Sequence, residues 1–170
     1  RFGWALLTAM LQATADMGAA DQALAEALAL AFAGVSDAPA ALTPQTALDW
    51  LQQAAPRHPR YADVTDVLTI YGGITVQRLE YEQALAVLLP VYALVAQPRQ
   101  AYYLAEAYYA RSQQAATVAE QLQECACALQ YGQQALDSTL HLQRTRALLE
   151  EIQATYARLS AARRREVLMT

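Results

Sequence analysis

Hydrophobic residues recur at intervals of three and four along most of this chain, which is the spacing of an amphipathic α-helix. The pattern is clearest near the C-terminus, where one apolar stripe contains Leu148, Leu149, Ile152, Tyr156 and Leu159. No useful length of sequence alternates with the period of two that a half-buried strand shows. Alanine, the strongest helix former, supplies much of the hydrophobic fraction of 55%. We therefore predict an all-α protein.

Glycine, proline and capping residues divide this helical pattern into elements. Thr43-Pro44 is a helix start signal, and Gly34 is placed to end a helix in the left-handed conformation. We expect a break at 18–20, with Asp21 as the N-cap of the helix that follows. A turn near 114–117 is the expected divider of the third pair, although one continuous bent helix also fits. The prediction is a single domain at 1–160 with helix pairs at 2–33, 61–96 and 99–137, an extra helix at 44–55 and a final helix at 139–160, followed by an Arg-rich tail at 161–170.

The stretch from Val67 to Pro98 has the pattern of one complete helix-turn-helix unit. Its apolar positions are Leu68 and Tyr71 on the first helix and Leu88 and Val91 on the second, with a turn at 78–81. Small residues, Gly72 on the first helix and Ala84 on the second, allow two helices to approach closely. Glycines at 72 and 73 weaken the helix that contains them. Their presence therefore predicts that another element packs closely on them.

These residues resemble the tetratricopeptide repeat (TPR), a helix pair of 34 residues that stacks into a right-handed superhelix. The matching positions are Leu68, Tyr71, Gly72, Tyr81, Ala84, Leu88 and Val91 in the central unit; Ala101, Leu104, Ala105, Tyr108, Ala128 and Ala135 in the later unit; and Leu7, Gly18 and Ala23 in the first. Extra residues lie before the central unit and within the later one. Irregular repeats of this kind resemble those of bacterial signalling regulators, and the final helix resembles the capping helix that such arrays need.

The resemblance also implies a concave groove that is lined by the first helix of each pair. By matched position the groove residues are Asp66, Thr69, Gly73 and Gln77 in the central unit, Arg99, Tyr102, Glu106 and Tyr109 in the later unit, and Thr8, Gln12 and Asp16 in the first. The later group combines a cation, an anion and two phenols on one helix face. Tyrosine provides a rigid apolar ring with a polar tip, and arginine can hold a carboxylate in a forked pair.

A structural role is the alternative for each of these side chains. Tyr103 and Tyr108 are expected to pack between helices, whereas for Tyr102 and Tyr109 packing and ligand contact are both open. Under the same alternative, Arg99 and Glu106 are simply solvated.

The charge pattern excludes several classes of partner. The net charge is -4 and all twelve basic Lys or Arg residues are arginines, so no surface rich in clustered cations is expected to bind nucleic acid. No apolar run reaches the length of a membrane span.

Cys125 and Cys127 point about 200° apart on a helix and so can neither bridge each other nor chelate one metal ion. We expect a reducing cytoplasm. The absence of Lys and Asn indicates a GC-rich, bacterial genome.

Catalytic chemistry is not predicted. His58 lies in a proline-rich connector and His141 lies near the start of the last helix, and neither has the partners that nucleophilic catalysis needs. The carboxylates lack the pattern of a di-metal site, so we expect neither a metal nor a cofactor. The arginine run at 163–165 is interpreted as a solvated helix end.

The expected function is therefore a protein–protein interaction module that binds a protein or peptide partner. The chain begins at Arg1 within a helical pattern, which we interpret as a piece of a larger bacterial protein. The alternative is a regulatory domain that senses a peptide or a small-molecule effector and controls an attached ATPase or DNA-binding domain. Self-association through apolar end faces is also compatible with the sequence.

Overall fold

The computed structural model describes residues 17–137 and 142–169, and within these ranges every regular element is a helix. The helices are α1 (Met17–Ala31), α2 (Pro44–Gln53), α3 (Tyr61–Gln77), α4 (Tyr81–Leu94), α5 (Pro98–Gln114), α6 (Val118–Ala135) and α7 (Leu142–Met169). The all-α prediction is confirmed. Among the described helices, none has the length and apolar character needed to cross a bilayer.

The chain divides into two compact units, Arg1–Ala96 and Gln97–Thr170. The N-terminal unit contains α1 to α4, and the C-terminal unit contains α5 to α7. Four of the sequence predictions, for Leu7, Thr8, Gln12 and Asp16, lie outside the described residues, as does the prediction for His141.

In the N-terminal unit, α3 is the central helix and packs against α1, α2 and α4. Its apolar residues are buried on nearly all sides, as expected for a helix that is surrounded by others. The core residues of this unit include Leu24, Leu28, Phe32, Leu48, Trp50, Leu51, Val64, Leu68, Tyr71, Ile74, Val87 and Val91. The Trp50 ring is nearly perpendicular to the Phe32 and His58 rings, at centroid distances of 5.0 Å for both pairs.

Two predicted features of this unit differ in their outcome. The start of α2 is confirmed, because Thr43 and Thr46 form a reciprocal capping box ahead of Pro44. The predicted break at 18–20 is wrong, because α1 continues through these residues and places Asp21 inside the helix. The Asp21 carboxylate accepts a hydrogen bond of 2.8 Å from the Tyr71 hydroxyl on α3. The carboxylate therefore joins two helices instead of capping one.

The α3–α4 pair confirms the predicted close approach at Gly72. A Cβ atom at this position would overlap the Leu88 side chain, lying 2.5 Å from its Cδ2 atom. The turn also lies where it was predicted. Glu80 N–H donates to the Thr75 carbonyl and Leu79 N–H donates to the Val76 carbonyl, which is the Schellman pattern of helix termination.

Direct contacts fix the helix directions within the C-terminal unit. Tyr108 and Arg111 of α5 contact Tyr131 and Glu124 of α6 in reverse order, so α5 and α6 are antiparallel. The helices α6 and α7 are antiparallel as well. Leu149 of α7 packs on Gly132 near the end of α6, whereas 160–168 of α7 lie beside Leu122 near its start. It follows that α5 and α7 run in the same direction.

The boundary between α5 and α6 is a true helix break. Residues 115–117 are non-helical, and the Thr117 hydroxyl accepts the Glu120 N–H while the Glu120 carboxylate accepts the Thr117 N–H. The two-helix prediction for 99–137 is therefore confirmed over the continuous-helix alternative. At the other end of the unit, α7 extends to Met169, nine residues beyond its predicted end at 160. Arginine is a good helix former, and no Gly or Pro follows to stop the helix.

Candidate binding face

The groove residues predicted on α3 have different environments. Asp66 and Gln77 are exposed, whereas Gly73 is buried. Thr69 is only 2% exposed, and its hydroxyl donates to the Thr65 carbonyl of the same helix at 2.8 Å. A threonine that bonds the preceding turn in this way has its hydroxyl engaged within the helix. Thr69 therefore does not line an accessible surface, whereas the Asp66 and Gln77 side chains are accessible to solvent.

On α5, the predicted groove residues Tyr102 and Glu106 contact each other directly. The Tyr102 hydroxyl donates to Oε1 of Glu106 across 2.7 Å, one helical turn away. Burial raises the pKa of the Glu106 carboxyl above its usual value, while the Tyr102 hydrogen bond and the charge of Arg144 on α7 lower it. Burial and the adjacent carboxylate also raise the pKa of the Tyr102 phenol. The pair is thus a half-buried carboxylate with a fixed donor.

Arg99 contacts Tyr103, a residue that was not among the predicted groove residues. Its Nε and Nη2 atoms are both 3.4 Å from the Tyr103 hydroxyl, and its guanidinium carbon is 5.8 Å from the centre of that ring. The Tyr103 ring in turn meets the Tyr102 ring at 5.7 Å in an edge-on arrangement. The expectation that Tyr103 only packs between helices is therefore incomplete, because this half-buried ring links Arg99 to Tyr102.

Tyr109 connects α5 to α7. Its hydroxyl lies 3.1 Å from both Glu151 Oε1 and Thr155 Oγ1. Burial raises the pKa of this phenol, and the Thr155 hydroxyl lowers it. Sequence spacing placed Tyr109 on the same face of α5 as Tyr102 and Glu106, but it gave no indication of these partners, which are more than forty residues away.

We call this surface the α5–α7 polar face. It consists of Arg99, Tyr102, Tyr103, Glu106 and Tyr109 from α5 and Arg144, Glu151 and Thr155 from α7. All of it belongs to the C-terminal unit.

The opposite side of α5 supports this face from behind. Tyr108 stacks on Tyr131 of α6 with a centroid distance of 5.6 Å and nearly parallel rings, as its predicted packing role requires. The Arg111 guanidinium lies 6.0 Å from the Tyr108 ring centre and forms a 3.1 Å ion pair with Glu124. These contacts fix the rotation of α5 and hence the direction of the polar face.

The histidine and the two cysteines that were considered for catalysis or metal binding have environments typical of structural residues. His58 is half-buried beside Trp50, and its Nδ1 atom accepts the Arg60 N–H at 3.1 Å. Cys125 is buried, Cys127 is half-buried, and neither forms a disulfide. Burial raises the pKa of the Cys127 thiol, which is the opposite of the shift that activates a cysteine. No group of three potential metal ligands occurs in the described part of the chain.

Comparison of the chain with protein-family models, with curated proteins and with solved structures finds no match in any of the three.

Proposed function

We propose that this chain is a TPR-like interaction module that binds a segment of a partner protein on the α5–α7 polar face. The observation that carries the proposal is the half-buried Tyr102–Glu106 pair beside the Arg99–Tyr103 contact. Partial burial of a carboxylate is unfavourable for folding unless other groups compensate it. A binding surface gives a reason for placing such a group there.

The helix arrangement supports the TPR-like part of the proposal. In a stacked array of helix pairs, consecutive first helices run in the same direction and both pack on the second helix between them. Within the C-terminal unit, α5 and α7 have this relation to α6. Under this proposal, helix α7 is the next first helix and serves as the cap. The proposed setting is the bacterial cytoplasm.

The chemistry of the face favours an extended polypeptide as the ligand. Tyr102 and Tyr103 offer aromatic surface with little conformational entropy to lose. The Glu106 carboxylate can accept backbone N–H groups or a lysine, and the exposed Arg144 guanidinium can bind a carboxylate. A mixed set of donors, acceptors and rings fits a peptide, which presents all of these groups along its length.

A display library of random short peptides provides the test, with the full chain as the immobilised target. Selected peptides are then measured against purified variants by fluorescence anisotropy. Loss of the Tyr102 hydroxyl in Tyr102→Phe and loss of the carboxylate in Glu106→Gln should each weaken binding by about tenfold, the effect of one charge-assisted hydrogen bond. The matched controls, Tyr156→Phe and Glu150→Gln on exposed positions of α7, should bind as the wild type does. Equal binding by all four variants would place the ligand elsewhere and refute the proposal.

The second candidate function is a ligand-sensing regulatory domain that uses the same face. Burial of Glu106 favours it, because small-molecule sites combine a few oriented polar groups with a poorly solvated environment. A thermal-shift screen against free metabolites separates the two functions. A sensor would show a rise in Tm with one compound that disappears in Glu106→Gln, whereas a peptide-binding module would show none.

A further inference from the structure

We propose that the groove between the start of α6 and the end of α7 is a docking site for an acidic amphipathic helix of a partner protein. This groove has a volume of about 460 Å³ and is lined by Leu122, Ser160, Arg163, Arg164, Val167 and Leu168. On α7 it uses residues from Ser160 onward, whereas the α5–α7 polar face uses α7 only as far as Thr155. The two surfaces are therefore separate, and the proposal does not depend on the function proposed above.

The groove arises because α7 extends past the start of α6. Helix α7 has 28 residues and α6 has 18, so their lengths are about 42 and 27 Å. With Leu149 seated on Gly132, the antiparallel pairing reaches Val118 before α7 ends. The last turns of α7 consequently extend past the first residue of α6, and Leu122 is the α6 residue that lines the groove beside them.

Large apolar side chains are left open at this end. Val167 is 69% exposed and Leu168 is 86% exposed, next to the half-buried Leu122 of α6. Adjacent exposed apolar residues along a groove are typical of an interaction site. A helix that lies in the groove would bury an apolar stripe against both α6 and α7, as neighbouring helices in this unit already do.

The charge of the groove argues for an acidic occupant. Arg163 and Arg164 line it, and residues 163–166 together carry three positive charges and one negative charge in a chain of net charge -4. Within the described ranges, Arg164 Nε donates to the Ser160 carbonyl at 3.3 Å and neither guanidinium pairs with a carboxylate. Arginines whose guanidinium groups do not pair with a carboxylate of the same chain can form forked pairs with Asp or Glu side chains that flank an apolar stripe of a ligand.

A display library of helical peptides with randomised faces tests the proposal on the full chain. Selection on wild-type protein, with counter-selection on the Arg163→Gln/Arg164→Gln variant, should enrich sequences in which Asp or Glu flanks an apolar stripe. A synthetic copy of a selected peptide is then measured by fluorescence anisotropy. Its binding to Arg163→Gln/Arg164→Gln and to Val167→Ser/Leu168→Ser should be at least about tenfold weaker than its binding to the wild type. The matched control, Arg158→Gln/Arg165→Gln, removes the same charge from α7 outside the groove and should bind within about twofold of the wild type.

Several outcomes overturn this proposal. Enriched peptides without acidic residues, or equal affinity for the groove variants, would show that the groove does not select an acidic helix. Concentration-dependent self-association in sedimentation that Val167→Ser/Leu168→Ser abolishes would assign the groove to a second copy. Binding to phosphatidylserine vesicles in the absence of any peptide ligand would assign it to a membrane surface. Peptides that depend on Tyr102 and Glu106 but not on Arg163 would support the polar face alone, so failures at the two sites are distinguishable.

Discussion

Leu79 adopts a backbone conformation that glycine usually occupies. Its φ of 65° falls in the left-handed region, at the position of the Schellman turn where glycine is most common. The side chain is 68% exposed, so it recovers little of this cost by burial. A left-handed conformation costs an L-residue about 1–2 kcal/mol.

Leu79→Gly is therefore expected to raise the free energy of unfolding by about 0.5–1 kcal/mol, after allowing for the greater chain entropy of glycine. Urea unfolding followed by circular dichroism measures this difference. The control is Leu30→Gly in α1, a half-exposed leucine with helical geometry, which should lose about 1 kcal/mol. The same substitution should thus have opposite signs at the two positions, and two losses would contradict the argument.

Gly72 is constrained by space and not by backbone conformation, because its position admits only a small residue. An added methyl group would overlap Leu88, which is fully buried. Overpacking costs about 1–3 kcal/mol, more than the roughly 1 kcal/mol that alanine gains in helix propensity. We expect Gly72→Ala to reduce stability by up to about 2 kcal/mol. In a Leu88→Ala background the clash is removed, so the same change should stabilise, and a double-mutant cycle should show this reversal of sign.

The Glu106 carboxyl predicts a specific dependence of stability on pH. Burial raises its pKa above the usual value of 4.5, so the folded state holds this proton at a higher pH than the unfolded state does. Stability should consequently fall as pH rises from about 4.5 through the raised pKa. Glu106→Gln has no such proton and keeps an acceptor for Tyr102. It should be more stable than wild type at pH 7, with a difference that shrinks toward pH 4, and a constant difference would contradict the assignment.

At the scale of elements, helix α6 depends on its capping box. The Thr117 hydroxyl accepts the Glu120 N–H at 3.2 Å, and the Glu120 carboxylate accepts the Thr117 N–H at 3.1 Å. Thr117→Ala should lower the free energy of unfolding by about 1 kcal/mol, whereas Thr117→Ser should stay near the wild type. Denaturant unfolding of both variants provides the measurement. Equal losses in the two would show that the threonine methyl group, and not the cap, is responsible.

Local signals in the sequence predicted most of the described helices but not all of their ends. Thr43-Pro44 and Gly34 were informative because capping and a positive φ, 79° at Gly34, depend on the residue itself. Asp21 misled the prediction because its carboxylate bonds to Tyr71, fifty residues away. The end of α7 was also missed. The prediction ended this helix at 160 and assigned the Arg-rich segment after it to a tail, although that segment contains no residue that stops a helix.

The same distinction explains what could be predicted of the candidate face. Spacing at four residues predicted that Tyr102 and Glu106 share one surface of α5, and their hydrogen bond is such a contact. The partners of Tyr109 on α7 depend on tertiary packing. Arg99 contacts Tyr103 because of the rotamer that its side chain adopts, and helical spacing does not determine that rotamer.

At the scale of the whole molecule, the two units have cores of different character. The N-terminal unit buries leucine, valine and aromatic side chains around α3. One core cluster of the C-terminal unit consists of the small residues Cys125 and Ala128 with Ile152, and half-buried tyrosines pack around it. Small core residues bring helices close together and leave large aromatic side chains at the helix margins. The C-terminal unit is accordingly where the proposed binding surfaces occur.

Site-specific photo-crosslinking of a selected peptide tests the central claim, that the α5–α7 polar face binds a partner polypeptide. A photoreactive phenylalanine derivative is placed at position 103 on α5 or, as the control, at position 167 near the end of α7. The peptide should be one whose affinity falls in Glu106→Gln. Binding on the α5–α7 polar face should give cross-linking from position 103 and none from position 167. Cross-linking from position 167 alone, or equal yields at both positions, would contradict it.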